Sequence, residues 1–247
     1  MHITITGRTG SGKTTISKLI RDKLGYERYS TGEYQREIAL KMGVNMVEMN
    51  EIMNDNLSYD HMIDSTVERV SRERADDNII FDSRMAWHFA VKSFKIFVSI
   101  DPVVAGKRVF DDPRSEEPYT SVEEATRQLV VRSDAENLRF RTIYGVDNYD
   151  YANYDLILDT TYAAIDDYIP IIKEALDAYT ADPTAYRRRI YISPRALTIL
   201  GDATGSDDEP IRLIPYKNRH FVVTGKSAAR RALEAGEKYV IADIPEL

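Results

Sequence analysis

The residues best equipped for chemistry stand at the start of the chain. A short apolar-alternating run, His2–Thr6, is followed at once by Gly7-Arg8-Thr9-Gly10-Ser11-Gly12-Lys13-Thr14. Glycines at 7, 10 and 12 let consecutive backbone N–H groups turn inward around an anionic triphosphate. Lys13 brings a point charge to the β- and γ-phosphates, and the Thr14 hydroxyl is placed to ligate Mg²⁺. Ile16, Leu19, Ile20 and Leu24 share one stripe, which predicts a helix over Thr14–Leu24 with its N-terminus against the phosphates.

A phosphate loop alone separates neither a triphosphatase from a kinase nor one acceptor from another, and four arginines narrow the choice. Arg36 follows Ser30-Thr31-Gly32 by one turn, and Arg84 lies just past a strand end beside Asp82. Arg132 and Arg139 are seven apart, so they share a helix face. Phosphoryl transfer between two phosphates gathers negative charge that converging guanidinium forks can neutralise. Asp82 has two readings: a carboxylate that holds Mg²⁺ or accepts a hydroxyl proton, or a cap for a helix over Met85–Val91. Arg132 has a bland reading as the i,i+4 partner of Glu136, and Arg127 and Arg141 read as surface residues. No Asn-Lys-x-Asp motif is present, which argues against a switch GTPase. The four histidines show no shared spacing and read as packing or surface residues rather than metal ligands; Trp87 and the tyrosines read as packing.

These residues need a frame. Asn78–Phe81, Phe94–Ile100 and Leu156–Leu158 are short β-rich runs separated by helical patterns, which calls for a parallel α/β sheet covered on both faces. In such sheets ligands sit beyond the carboxyl ends of the strands, where Gly7–Thr14, Asp82–Arg84 and Asp159–Thr161 fall. Glu33–Met42, Met46–Asn56 and Ser58–Arg74 read as helices of a substrate-covering insertion, the second capped by Asn45. Residues 111–120 read as a loop. Ser121–Tyr144 reads as one long helix opened by a capping box of Ser121 and Glu124, and Ala163–Tyr179 as an amphipathic helix. A boundary is expected near Thr180–Pro183, giving units 1–180 and 186–247. The second has strands at Ile211–Pro215, Phe221–Val223 and Tyr239–Ile244 and a helix at Ser227–Ala235, a small α+β unit.

With 247 residues, 43% of them hydrophobic, the chain can bury a sizeable core. The absence of cysteine excludes disulfides and thiolate metal sites. No long apolar run reads as a membrane span, and the early first strand leaves no room for a signal sequence, so a cytoplasmic protein is expected. Net charge is −7, but residues 186–247 carry 11 Lys+Arg against 8 Asp+Glu, the remainder 22 against 32. The acidic body argues against broad nucleic-acid binding, while the mildly basic tail permits it.

The loop, Ser30-Thr31-Gly32-Glu33 with Arg36, Tyr59 to Asp64, Asp82-Ser83-Arg84, Arg132 to Arg139 running into Ile143 to Asp147, and Tyr154 to Thr161 together resemble the cytidylate kinase-like group of P-loop nucleoside monophosphate kinases. The likeness covers residues 1 to about 179. It implies that Gly10, Ser11, Gly12, Lys13, Thr14 and Thr15 cradle ATP, with Lys13 on the transferred phosphate, Thr14 and Asp82 toward Mg²⁺, and Thr161 near adenine. It also implies that Thr31, Gly32, Arg36, Asp60 and Asp64 hold a small-molecule nucleotide acceptor and that Arg84 bridges acceptor and donor. Residues 111–120, with Arg114, would be a lid, and Arg132 and Arg139 would close over the transferring group. Many members carry Asp-Gly-Arg or Glu-Gly-Arg where this chain has Asp82-Ser83-Arg84, so the acceptor stays open. In the tail, Phe221 to Gly225, Arg230-Arg231-Ala232, Gly236 and Val240–Ile244 are similar to the ParB/sulfiredoxin-like domain, with Lys226-Ser227 replacing its usual polar pair; a small appendage for dimerisation or lid contact fits equally.

Three functions follow as expectations. The first is ATP-dependent phosphorylation of CMP or dCMP. The second is phosphorylation of a hydroxyl on a nucleoside, modified base or small metabolite, with Asp82 as base. The third is a non-catalytic ATP-switched regulator whose tail meets DNA or another partner.

Overall fold

Strand β1 (His2–Gly7) is buried along its whole length, as a strand must be when helices cover both faces of its sheet. It opens the computed structural model, which describes all residues except 56–57, 113–118, 203–204, 207, 217–218 and 246–247. After it come α1 (Lys13–Leu24), β2 (Glu27–Ser30), α2 (Thr31–Met42), α3 (Met46–Asp55), α4 (Ser58–Glu73), β3 (Ile79–Asp82) and the single turn α5 (Ala86–Phe89). Next are β4 (Ser93–Ser99), α6 (Pro102–Phe110), the long α7 (Val122–Tyr144), β5 (Leu156–Asp159) and α8 (Tyr168–Ala181). The chain finishes with β6 (Arg189–Ile192), β7 (Leu197–Thr198), β8 (Ile211–Tyr216), β9 (Arg219–Thr224), α9 (Lys226–Glu234) and β10 (Val240–Asp243). Residues 113–118, most of the expected lid and Arg114 with it, lie outside the described residues.

The strands form one sheet in the order β2-β3-β1-β4-β5-β6-β10-β8-β9-β7. From β2 to β6 every pairing is parallel. From β1 the chain passes to β2 and β3 on one side and to β4 and β5 on the other, which makes β1 the strand where the connections reverse direction. Register pairs Ser30 with Asp82, Ile5 with Asp82 and Ser99 with Asp159, so the exits of β2, β3, β1, β4 and β5 share one edge. That edge is where α/β sheets bind ligands.

Period-two alternation splits the core in two. Ile3, Ile5, Ile96, Val98, Leu156 and Leu158 pack with Ile16 and Ile20 of α1 and Ile172 of α8. Phe97 and Ile157 face the other way, onto Trp87, Phe140 and Tyr154. The second layer runs on through Ile190, Ile192, Leu213, Val222, Ala229 and Val240. The connection from α8 to β6 spans the expected boundary, and across it the sheet continues, with β6 parallel to β5 and β10 antiparallel to β6.

Local chemistry explains the helix ends. Asn45 and Glu48 form a reciprocal capping box on α3, with Glu48 N donating to Asn45 Oδ1 at 3.0 Å and Asn45 N to Glu48 Oε2 at 2.8 Å. Ser121 Oγ accepts from Glu124 N at 3.1 Å, but the Glu124 carboxylate turns to Thr120 instead of back to Ser121, so the expected box is shifted by one residue. The helix expected over Ala163–Tyr179 is a 3-10 turn at Ile165–Asp167 followed by α8, whose first turn holds Pro170, a residue without the N–H that an earlier helix would require. Gly106 of α6 packs directly on α7: a Cβ there would stand 2.9 Å from Thr126 Cα. Gly106→Ala is therefore expected to cost about 1–3 kcal/mol in urea unfolding, the usual range for overpacking. A variant as stable as the parent would mean that α6 and α7 separate at no cost.

Candidate functional site

The loop between β1 and α1 is shaped for an anion. Gly10 (φ 81°) and Gly12 (φ 83°) take left-handed conformations, and a Cβ on Gly12 would meet the Ile165 side chain at 2.6 Å. Gly12 offers α1 no side-chain cap, so the first amides of the helix face outward at its positive end. The Ser11 hydroxyl is buried and finds no hydrogen-bond partner within the protein. These three features fit a triphosphate. Thr14 and Thr15 stand exposed on the first turn.

Behind the loop, Lys13 Nζ pairs with Asp82 Oδ1. Asp82 Oδ2 accepts from Ser17 Oγ at 3.0 Å and from a terminal nitrogen of Arg28 at 2.6 Å. Burial opposes ionisation of Asp82, but the Lys13 and Arg28 cations outweigh it and hold the carboxyl below its ordinary range. Asp82 caps no helix, because α5 begins at Ala86 with Met85 at its N-cap and no side-chain cap. Its two oxygens are committed to cations and a hydroxyl, which leaves the Thr14 hydroxyl as the freer of the two expected Mg²⁺ ligands. Among the described residues no group of three or more His, Asp or Glu is placed to hold a metal ion.

Three of the expected arginines gather at this mouth. Arg84 donates to Thr9 Oγ1 of the loop at 3.3 Å and pairs with Glu136. Arg132 Nε lies 3.3 Å from the other Glu136 oxygen, so one carboxylate on α7 serves a strand end and its own helix. Burial, then the charges of Arg132 and Arg139, push Arg84 down to about 10. Arg139, two turns beyond Arg132, lies 3.2 Å from Asp60 Oδ2.

Asp60 and Asp64 are both buried, one turn apart on α4. Tyr144 donates its hydroxyl to Asp64 Oδ2 at 2.6 Å. Burial and the Asp60 charge nonetheless push Asp64 up to about 7. A cavity of about 460 Å³ opens beside it, lined by Ser58, His61, Met62, Asp64, Ser65, Glu68 and Phe89. Across the edge, Thr31 is buried at the start of α2, and Arg36 is exposed, its guanidinium 4.0 Å from where a Gly32 Cβ would be. Thr161 does local work: its hydroxyl accepts from Asp101 N at 2.9 Å.

Sequence reasoning misses Arg28 and Arg108. Arg108 donates to Thr160 O at 2.6 Å and Gly10 O at 3.4 Å, while Thr160 Oγ1 donates to Ser11 O at 2.8 Å, so the β5 exit is tied to the loop. Neither arginine lies at a strand exit or in a motif.

With this geometry in place, comparison with known proteins is decisive. Residues 2–162 match the cytidylate kinase-like family. The chain belongs to that family. It is 33% identical over 186 residues to the cytidylate kinase of Natronomonas pharaonis, spanning 74% of this chain and 92% of that protein. It is 31% identical over 185 residues to that of Methanosarcina mazei, spanning 72% and 97%. Among solved structures it resembles an uncharacterized protein from Eubacterium ventriosum (TM-score 0.54, 15% identity, 72% of this chain and 99% of that one). It also resembles shikimate kinase from Bacteroides thetaiotaomicron (TM-score 0.50, 15% identity, 72% and 98%). At that identity the two structures show the shared fold alone. About a quarter of this family member lies outside its matches to these relatives.

The Asp64 shift has a sign that can be measured. A carboxyl raised from about 3.9 to about 7 stabilises the fold fully below about pH 4, and that contribution is lost as pH rises through 7. Asp64→Asn should gain on the parent across this window, by a few kcal/mol at most, in urea unfolding followed at each pH. Equal pH slopes for the two proteins would show that Asp64 titrates normally.

Proposed function

We propose that this family member transfers the γ-phosphoryl group of ATP to CMP or dCMP, giving ADP and the nucleoside diphosphate. One observation carries this reading: Arg84 from the β3 exit and Arg132 from α7 share the Glu136 carboxylate, and Arg84 lies close enough to Lys13, held by Asp82, for its charge to bear on that ammonium. A site of that charge suits two anionic reactants. Asp82 also favours a phosphate acceptor over a hydroxyl, because a carboxylate held ionised by two cations is a weak base, and an ionised phosphate needs none.

In this reading the backbone of Gly7 to Thr15 holds the ATP phosphates, and Lys13 leaves Asp82 to meet them. Mg²⁺, held by the Thr14 hydroxyl with Asp82 behind it, would neutralise charge on the β- and γ-oxygens. Arg36, with Thr31 and Gly32, holds the acceptor phosphate. Asp60 and Asp64 present carboxyl groups to the acceptor base, and a protonated Asp64 can donate as well as accept. Arg84 spans the two phosphates, and Arg132 and Arg139 close on the transferring group. Catalysis comes from positioning and charge.

The tail order β8, β9, α9 and β10 supports the ParB/sulfiredoxin-like reading of its sequence. Two of its cations are engaged internally, Lys226 donating to Leu200 O at 2.8 Å and Arg230 to Gly201 O at 2.6 Å, while Arg189 and Lys238 pair with Glu174 and Asp167 of the preceding unit, and we assign the tail no part in transfer. Among the described residues no helix is long and apolar enough to cross a membrane; we place the enzyme in the cytoplasm, where its nucleotides are.

ADP release measured across nucleoside monophosphates and nucleosides tests this directly. CMP and dCMP should be the best acceptors, and Lys13→Ala and Arg84→Ala should each lower kcat/KM by at least about 10²-fold. Turnover of cytidine with none of CMP would overturn the choice of acceptor.

A further inference from the structure

Arg28 has no role in the scheme above, yet its side chain is only 5% exposed. Every edge of its guanidinium is used. Nε donates to Ser17 Oγ at 2.8 Å, one terminal nitrogen to Asp82 Oδ2 at 2.6 Å and the other to Glu33 Oε1 at 2.7 Å. These partners belong to different working parts. Ser17 lies one turn into α1, behind the phosphate loop. Asp82 is the resting partner of Lys13. Glu33 sits in the first turn of α2, beside Thr31 and Gly32, and its amide is the one capped by Ser30.

We propose that Arg28 is a positioning residue that couples the ATP loop to the acceptor arm. The inference rests on the phosphotransfer reading and adds a residue and a linkage to it. When ATP draws Lys13 away, Asp82, 1% exposed, would be left as a buried carboxylate without its ammonium partner. Such a group is costly, or takes up a proton. Arg28 remains on it and does not lose its own charge near neutral pH, so Lys13 is released without stranding an anion. The other terminal nitrogen reaches Glu33, whose side chain is 54% exposed. That end is adjustable and the Asp82 end is fixed. The guanidinium therefore sets how close the first turn of α2 stands to the loop, and so how close the acceptor phosphate stands to Lys13. A lysine at this position could neutralise Asp82 but could not reach all three partners.

The two ends of the guanidinium should affect different kinetic constants, which a purely structural role would not do. Steady-state kinetics of the full chain, varying ATP and CMP separately, is the test. Glu33→Gln cuts only the exposed end: the CMP KM should rise on the order of three- to tenfold, with the ATP KM and kcat within about twofold. Arg28→Lys should show the same CMP effect. Arg28→Met leaves Lys13 as the sole cation on Asp82, so the ATP KM should rise and kcat fall as well, by about tenfold or more. If Arg28→Met fails to fold, Glu33→Gln and Arg28→Lys decide the matter alone. An unchanged CMP KM in Glu33→Gln, or equal rises in both KM values, overturns the coupling. Wild-type protein that turns over no nucleoside monophosphate instead defeats the phosphotransfer reading, and it does so before any variant is made.

Discussion

Cations that must meet two anionic substrates repel one another before the substrates arrive, and buried carboxylates offset that repulsion. Two like unit charges 4 Å apart cost about 4 kcal/mol at an effective dielectric constant near 20. Asp82 answers Lys13 and Arg28, Glu136 answers Arg84 and Arg132, and Asp60 answers Arg139. Each carboxylate holds its cations near the mouth in the resting protein, and in the proposed reaction phosphate oxygens take over Lys13, Arg84, Arg132 and Arg139 while Arg28 stays on Asp82. The depressed Arg84 shows that the balance is incomplete, because burial and its neighbouring guanidiniums still outweigh the anions around it. A site poised in this way gains most from a ligand that brings negative charge.

The fold supplies this arrangement economically. Because β2, β3, β1, β4 and β5 run parallel, their exits fall on one edge, and where the connections reverse at β1 the loop, Asp82, Arg84 and Thr160 reach a common region from stretches far apart in sequence. One long helix, α7, then brings Glu136, Arg132 and Arg139 to the same region and also supplies Tyr144 to Asp64. The continuous sheet extends the core layer behind α7 into the last quarter of the chain, so that quarter contributes packing to the kinase layer.

Much of this is legible in the sequence. The phosphate loop declares itself by spacing, Arg84 by following an apolar strand, and Arg132 and Arg139 by their separation of seven, because each signal is local. The i,i+4 pairing of Arg132 with Glu136 is legible too, but the sharing of Glu136 with Arg84, 52 positions earlier, is not. Asp82 stands out as a carboxylate at a strand exit, while its capture by Lys13 and Arg28 depends on three elements meeting. Arg28 lies in the short, mostly polar strand Glu27–Ser30, where nothing marks it as buried. Strands β8, β9 and β10 of the tail can be recognised singly, whereas β6 and β7 escape the sequence reading; a strand carries no mark of its neighbour, so the union with β5 through β6 is visible only in the structure.

A crystal structure with adenosine and cytidine joined through a chain of five phosphates would test the central claim most directly, since that compound supplies both anions at once. Lys13 is expected to have left Asp82, and Arg84 and Arg132 to have left Glu136, each to contact phosphate oxygens, with Arg28 still on Asp82. If the compound binds while Arg84 and Arg132 remain on Glu136, pointing away from the phosphates, those arginines are structural and the gathering of cations has no part in phosphoryl transfer.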